Sequence, residues 1–176
     1  MDNQIKDNVK KVTAEDTIKK FLLKYCQDIV DNAKKYLGKP YVWGGESDTE
    51  GGYDCSGFVY AVLNDSGIKV GRTTAQGYFN KYKKNVSNTS VAGALLFFGK
   101  SESNITHVAI ASGDGTHMYE SIGSSKNTID NKGKGVTYSY ISRRKDLIKV
   151  CTPFDFETKN IPVVARPTLK LSSKGM

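Results

Sequence analysis

Histidine, cysteine, proline and tryptophan are scarce in this chain. Its 176 residues include two histidines, three cysteines, four prolines and one tryptophan. Three cysteines without regular spacing exclude a disulfide framework and a thiolate zinc site. No metal and no cofactor is implied. No run approaches the ~18 apolar residues of a membrane span. The opening Met1-Asp2-Asn3-Gln4-Ile5-Lys6-Asp7 lacks the basic-then-apolar layout of a signal peptide. No internal repeat and no low-complexity tract is present.

What remains is the composition of one globular domain of ordinary size, with 38% hydrophobic and 25% charged residues. The formal charge is +8, from 26 basic and 18 acidic residues. A basic protein can bind nucleic acid or other polyanions. Here the lysines are scattered and not interleaved with aromatic residues, so they read as solvated faces and not as a nucleic-acid groove.

One cysteine stands apart. Asp54 is a good helix N-cap, and Phe58, Val59, Val62 and Leu63 follow at helical spacing up to Asn64-Asp65-Ser66-Gly67. Cys55 therefore falls in the first turn of a helix, where unpaired N–H groups and the helix dipole favour a thiolate. Ser56 and Gly57 are small and are expected to leave room for a substrate. Cys26 lies in a helical apolar pattern and Cys151 ends the run Leu147-Ile148-Lys149-Val150, so both read as buried small hydrophobes. A nucleophilic thiol needs a base. His107 opens the strand-like run His107-Val108-Ala109-Ile110-Ala111, and His117 opens its return strand after Gly113-Asp114-Gly115. A histidine at the start of a strand is rigidly held, and with Cys55 present His107 is the favoured base.

The remaining pattern places helices first and strands after them, which predicts α+β architecture. A helical stripe from Ile18 to Leu37 follows a start signal at Thr13-Ala14-Glu15-Asp16, as one helix or as two with a break near Gln27. Residues 1–12 are expected to fray. Residues 40–53 read as a Gly-rich loop and Thr73–Tyr82 as a short helix capped by Thr73 or Thr74. Strands are expected over 93–99, 106–112, 117–122, 135–141 and 146–151, with a polar loop over 124–135 and an edge strand over 161–167. The expected organisation is an N-terminal extension over 1–26, one catalytic domain over 27–168, and a tail or linker over 169–176.

Pro40-Tyr41-Val42-Trp43-Gly44-Gly45, Asp54-Cys55-Ser56-Gly57-Phe58-Val59, Arg72-Thr73-Thr74-Ala75-Gln76 and His107-Val108-Ala109-Ile110 together resemble the NlpC-type cell-wall cysteine peptidases, in order and in spacing. The resemblance covers roughly residues 27 to 150. It implies a papain-like core, with the cysteine at a helix N-terminus packed on an antiparallel sheet of about five to six strands. It also implies hydrolysis of peptidoglycan stem peptides, typically beside a γ-linked D-glutamate.

The family places a third polar residue, usually histidine, on the strand after the base. Aligned without a gap, that position falls on Tyr119. With one extra residue in the Gly113–Thr116 turn it falls on Glu120, which is favoured because a carboxylate stabilises an imidazolium directly. His117 is the third candidate. The resemblance also places Tyr41 beside the cysteine, where its hydroxyl could help the Cys55 N–H hold an oxyanion. Ser56 is grouped with it as a substrate-side residue. Core or groove packing is the alternative for Tyr41 and the preferred role for Trp43. Substrate contact by Arg72, Thr73 and Gln76 stays open. Ala94 stands where the family usually carries an aspartate, with a structural consequence at most. Expected partners are stem peptides and, through the positive charge, anionic wall polymers. With no leader in this chain, such a protein would be phage-released, exported otherwise, or a piece of a longer secreted protein. The rivals are a papain-like amidase that cuts between sugar and peptide, and a non-catalytic wall-binding or phage structural module.

Overall fold

The computed structural model describes residues 2–123 and 134–154. Neither proline nor glycine occurs before Gly38, so nothing interrupts helix propagation. Helix α1 accordingly runs unbroken over Asp2–Lys35. It begins well before the Thr13 start signal, and residues 2–12 are helical where fraying was expected. Its buried stripe is Leu22, Cys26, Ile29, Val30 and Ala33, the one-sided spacing of a helix lying on a core. Gly38, at φ 84°, turns the chain away.

The stretch expected to be only loop holds two short antiparallel strands, β1 (Glu46–Ser47) and β2 (Gly52–Tyr53), joined by a 3₁₀ turn over Asp48–Glu50. Helix α2 (Cys55–Asp65) follows at once, burying Phe58, Val59, Val62 and Leu63. Helix α3 (Ala75–Tyr82) starts at Thr74, whose side chain accepts the Gly77 N–H at 3.1 Å.

Five strands then form one antiparallel sheet: β3 (Leu95–Ser101), β4 (Asn104–Ala111), β5 (His117–Ile122), β6 (Gly135–Tyr140) and β7 (Leu147–Cys151), in the order β6-β5-β4-β3-β7. The fold is the expected α+β, with three helices packed on a five-stranded antiparallel sheet. The strand expected over 161–167, the tail from 169 and most of the 124–135 loop lie outside the described residues.

Alternation along the strands gives the sheet two buried faces. Leu95, Phe97, Val108, Ile110 and Tyr119 pack with Phe58, Val59, Val62 and Phe79 of the helices. Leu96, Phe98, Ala109, Ala111 and Met118 form a second cluster with Ile141 and Val150. His107 and Glu120 have the strand parity of this second face. Strands β4 and β5 register only at Ile110↔Tyr119 and Ala111↔Met118. Beyond those pairs the ladder opens, and the N-terminus of α2 meets the opening.

Close backbone approach fixes that end of α2. A Cβ on Gly57 would lie 2.0 Å from the Gly45 carbonyl oxygen, and one on Gly52 would lie 2.2 Å from that of Pro40. Gly57 is therefore small for packing against the loop, not for admitting a substrate. Gly57→Ala should lower the unfolding free energy by about 1–3 kcal/mol, read by urea denaturation. Gly71→Ala, where a Cβ meets nothing within 4 Å, should stay close to wild type. Equal stabilities for the two variants would refute the close packing.

Candidate active site

The site is built outward from Asp54. As N-cap of α2, its Oδ1 accepts the Gly57 N–H at 2.6 Å and the Ser56 hydroxyl at 3.0 Å. Its Oδ2 accepts the Gly44 N–H at 3.1 Å. Arg72 Nη2 donates to both carboxylate oxygens at 2.9 Å, and Arg72 Nη1 donates to Ser56 Oγ at 2.8 Å. Arg72 Nε pairs with Glu46 at 2.7 Å. One carboxylate thus ties the Gly-rich loop, the start of α2 and the approach to α3 into a single unit.

Cys55, the first residue of α2, is partly buried and unoxidised. Its thiol is hydrogen-bonded to His107 and also receives the Val108 backbone N–H. His107 Nε2 is 2.7 Å from Glu120 Oε2, which leaves Nδ1 as the ring nitrogen for the thiol. Glu120 is fully buried. Its other oxygen accepts from the Ser139 hydroxyl and from Arg143, Nε at 2.8 Å and Nη2 at 2.5 Å.

The electrostatics favour charge separation. Burial pushes the Cys55 thiol up, but the hydrogen bond and charge of His107, with the Val108 N–H, outweigh it and bring the pKa down. Burial likewise opposes the imidazolium, yet Cys55 and Glu120 raise His107 to about 9. Burial would protonate Glu120, but His107, Ser139 and Arg143 lower it to about 2. Both shifts run toward charge separation, a thiolate beside an imidazolium.

The other predicted residues are distributed unevenly. Tyr41 lies in reach of the site: burial first, then the nearby Cys55 and Asp54, raise its hydroxyl pKa. Its ring sits against Gly123, where a Cβ would be 3.5 Å away. Ser56 is buried, and its hydroxyl turns inward to Asp54 and Arg72. Tyr119, adjacent to Glu120 on β5, faces the opposite side and packs in the helix-facing core against Tyr138, with ring centroids 4.9 Å apart. His117 is bound to Asp114 at 2.6 Å and stacked on Tyr138 at 4.8 Å. The expected packing of Trp43 is wrong: it is 87% exposed. It occupies the tip of a turn closed by Gly45 N–H to Val42 O at 3.0 Å, with Gly44 at φ 77°. Ala94 is fully buried within the second apolar cluster.

A model of the NlpC/P60 family matches residues 38–145, more than half of the chain. The chain belongs to the NlpC/P60 family. The NlpC/P60 domain is similar to the Bacillus subtilis bifunctional muramidase/DL-endopeptidase CwlT, at 41% identity over 93 residues, covering 52% of this chain and 28% of that protein. It is also similar to the Bacillus cereus gamma-D-glutamyl-L-lysine dipeptidyl-peptidase, at 31% identity over 96 residues, 53% of this chain and 28% of the relative. Among solved structures, a lipoprotein-like NLP/P60-family protein of Staphylococcus aureus superposes with a TM-score of 0.56 and 31% identity. That match covers 73% of this chain and 41% of the other. The chain thus spans about a quarter of the length of these curated relatives.

Two contributors to the NlpC/P60 site carry no local sequence signal. Arg143 and Ser139 reach Glu120 across separations of 23 and 19 residues, with no motif linking them. Arg72 and Asp54 are both legible as motif residues, but their pairing is not.

The three thiols should differ sharply. Burial raises Cys26 and Cys151 to about 11, whereas Cys55 is lowered. At about pH 6, iodoacetamide should label Cys55 alone in the native protein, as read by peptide mass spectrometry. Comparable labelling of Cys26 would refute the assignment of Cys55 as the activated thiol.

Proposed function

We propose that this domain is a cysteine endopeptidase that cuts peptidoglycan stem peptides beside a γ-linked D-glutamate. The observation that carries the reading is the continuous contact from Cys55 through His107 to Glu120 at the start of α2. Family membership supports a wall substrate. The names of two relatives, a DL-endopeptidase and a γ-D-glutamyl-L-lysine peptidase, support the bond.

In this mechanism the Cys55 thiolate attacks the scissile carbonyl carbon. The tetrahedral oxyanion is held by the Cys55 N–H, a first-turn donor with no intrahelical acceptor, and by the Tyr41 hydroxyl. Imidazolium His107 then gives its Nδ1 proton to the leaving amine, and the carbon–nitrogen bond breaks. Water, deprotonated by neutral His107, attacks the thioester and restores the thiolate. Glu120 keeps Nε2 as a donor throughout and stabilises the charged ring. Ser56 acts from beneath the site through Asp54. The charge of +8 supplies attraction to anionic wall polymers, and the site of action is the bacterial cell wall.

Cys55→Ala should reduce release from purified walls by at least about four orders of magnitude while the unfolding transition persists; retained activity would refute the mechanism. Mass spectrometry of the digest should show new amino termini within stems. Whole stems released from the sugar would identify an amidase instead. The pH profile has a fixed sense. On the acid side the lowered thiol regains its proton and activity is lost; on the alkaline side activity falls through about pH 9, as His107 loses the proton needed by the leaving amine. Activity rising steadily through pH 9 would exclude His107 as the acid.

A further inference from the structure

Glu120 is a fully buried carboxylate whose two oxygens have different neighbours. Oε2 meets His107 Nε2 at 2.7 Å. Oε1 accepts two hydrogen bonds from Arg143, at 2.8 Å from Nε and 2.5 Å from Nη2, and a third from Ser139. Arg143 is itself only 13% exposed at the side chain and sits on a 3₁₀ turn, Ile141–Arg143, directly after β6. A guanidinium delivering two N–H groups to one oxygen fixes the rotation of the carboxylate as well as its charge.

From this geometry we infer that Arg143 is a positioning residue for the catalytic base, holding Glu120 Oε1 so that Oε2 stays aimed at His107. The inference rests on the Cys55–His107–Glu120 mechanism and extends it by one residue. An isolated carboxylate at this depth would protonate, and a neutral acid would orient the imidazole without stabilising its charge. Arg143 supplies the countercharge from the side away from His107.

Other groups also face the pair. Cys55 approaches His107 from α2, Tyr41 and Asp54 lie beyond the thiol, and Ser139 approaches Glu120 from β6. Asp146, ahead of β7, acts on His107 through space but is paired with Arg144 at 2.6 Å. Arg144 in turn lies over Phe98, 4.7 Å from its centroid, and the Phe98 ring is 5.8 Å from that of His107. The Arg144–Asp146 pair is therefore a separate unit, and of these two arginines it is Arg143 that bonds to Glu120.

The test compares wild type, Arg143→Lys, Arg143→Met, Glu120→Gln and the double variant Glu120→Gln/Arg143→Met. Two readouts are used: hydrolysis of a soluble stem peptide containing γ-D-glutamyl-lysine, and the pH midpoint of Cys55 alkylation by iodoacetamide. Arg143→Met should lower kcat by about tenfold to a hundredfold, leave KM within about twofold, and move the alkylation midpoint up by about one pH unit. Arg143→Lys should recover part of both. In the Glu120→Gln background, removing Arg143 should add nothing, because its effect runs through Glu120. The double variant buries neither charge, so it also keeps the comparison open if Arg143→Met alone unfolds.

An unmoved or lowered alkylation midpoint in Arg143→Met would overturn the inference. So would an equal loss of kcat on removing Arg143 from Glu120→Gln. If wild type fails to cut the peptide while the alkylation shifts appear as stated, the peptidase assignment fails and the role of Arg143 stands. If hydrolysis needs Cys55 and His107 but ignores Arg143, only the inference fails.

Discussion

The opening of the ladder between β4 and β5 is the constraint on which the site depends. His107 and Glu120 lie on the sheet face turned away from the helices, while Cys55 starts a helix packed on the other face. In a continuous sheet the two would be separated by backbone. Because pairing ends at Ile110↔Tyr119, the first turn of α2 reaches the gap and the thiol touches the imidazole. An opened ladder leaves backbone groups that must find other partners. The Val108 N–H finds the Cys55 sulfur. At the other lip, the Ser121 hydroxyl donates to the Tyr53 carbonyl at 2.7 Å. The gap in the sheet is thus closed by the cysteine helix and β2, and part of its hydrogen bonding is spent on the sulfur.

Holding the helix there places a carboxylate next to the Cys55 thiol. Asp54 is needed as the N-cap, yet its charge raises the Cys55 pKa. Two features keep that opposition small. Arg72 engages both Asp54 oxygens, and the Gly57, Gly44 and Ser56 donors take up the remaining lone pairs. Against this neutralised group, the direct hydrogen bond and charge of His107 decide the direction of the shift. Hydrogen-bonded charge at contact distance outweighs a screened and paired charge one residue away.

Local chemistry in the chain singles out the cysteine and the histidine that the fold brings together. A capping aspartate before an apolar helical stripe marks Cys55, and a histidine opening a strand marks His107; both features report on backbone placement within a few residues. Glu120 needed the family pattern and one inserted residue in the preceding turn. Strand parity supplies the physical reason that Glu120 and not Tyr119 meets His107, since neighbours on a strand face opposite sides. What local pattern could not carry was close packing and distant pairing. Gly57 looked like an opening for substrate until the Gly45 carbonyl stood against it, and Trp43 looked like packing until the turn carried it outward. Arg143 is separated from its partner by a whole strand and loop, and nothing in its own neighbourhood distinguishes it from Arg144. The breadth of α1 was legible only as an absence, the lack of glycine and proline before Gly38.

The two carboxylates around the nucleophile repeat one solution. Asp54 caps a helix and Glu120 faces an imidazole, and both carboxylates are buried. Each is matched by an arginine from later in the chain, Arg72 after α2 and Arg143 after β6. Arg72 offsets the Asp54 charge beside Cys55, while Glu120, paired with Arg143, still raises His107, so the proton balance depends on the thiol–imidazole contact and on Glu120 together. Exposed positive charge more than about 10 Å away is screened at ordinary salt and adds little to the proton balance at the site.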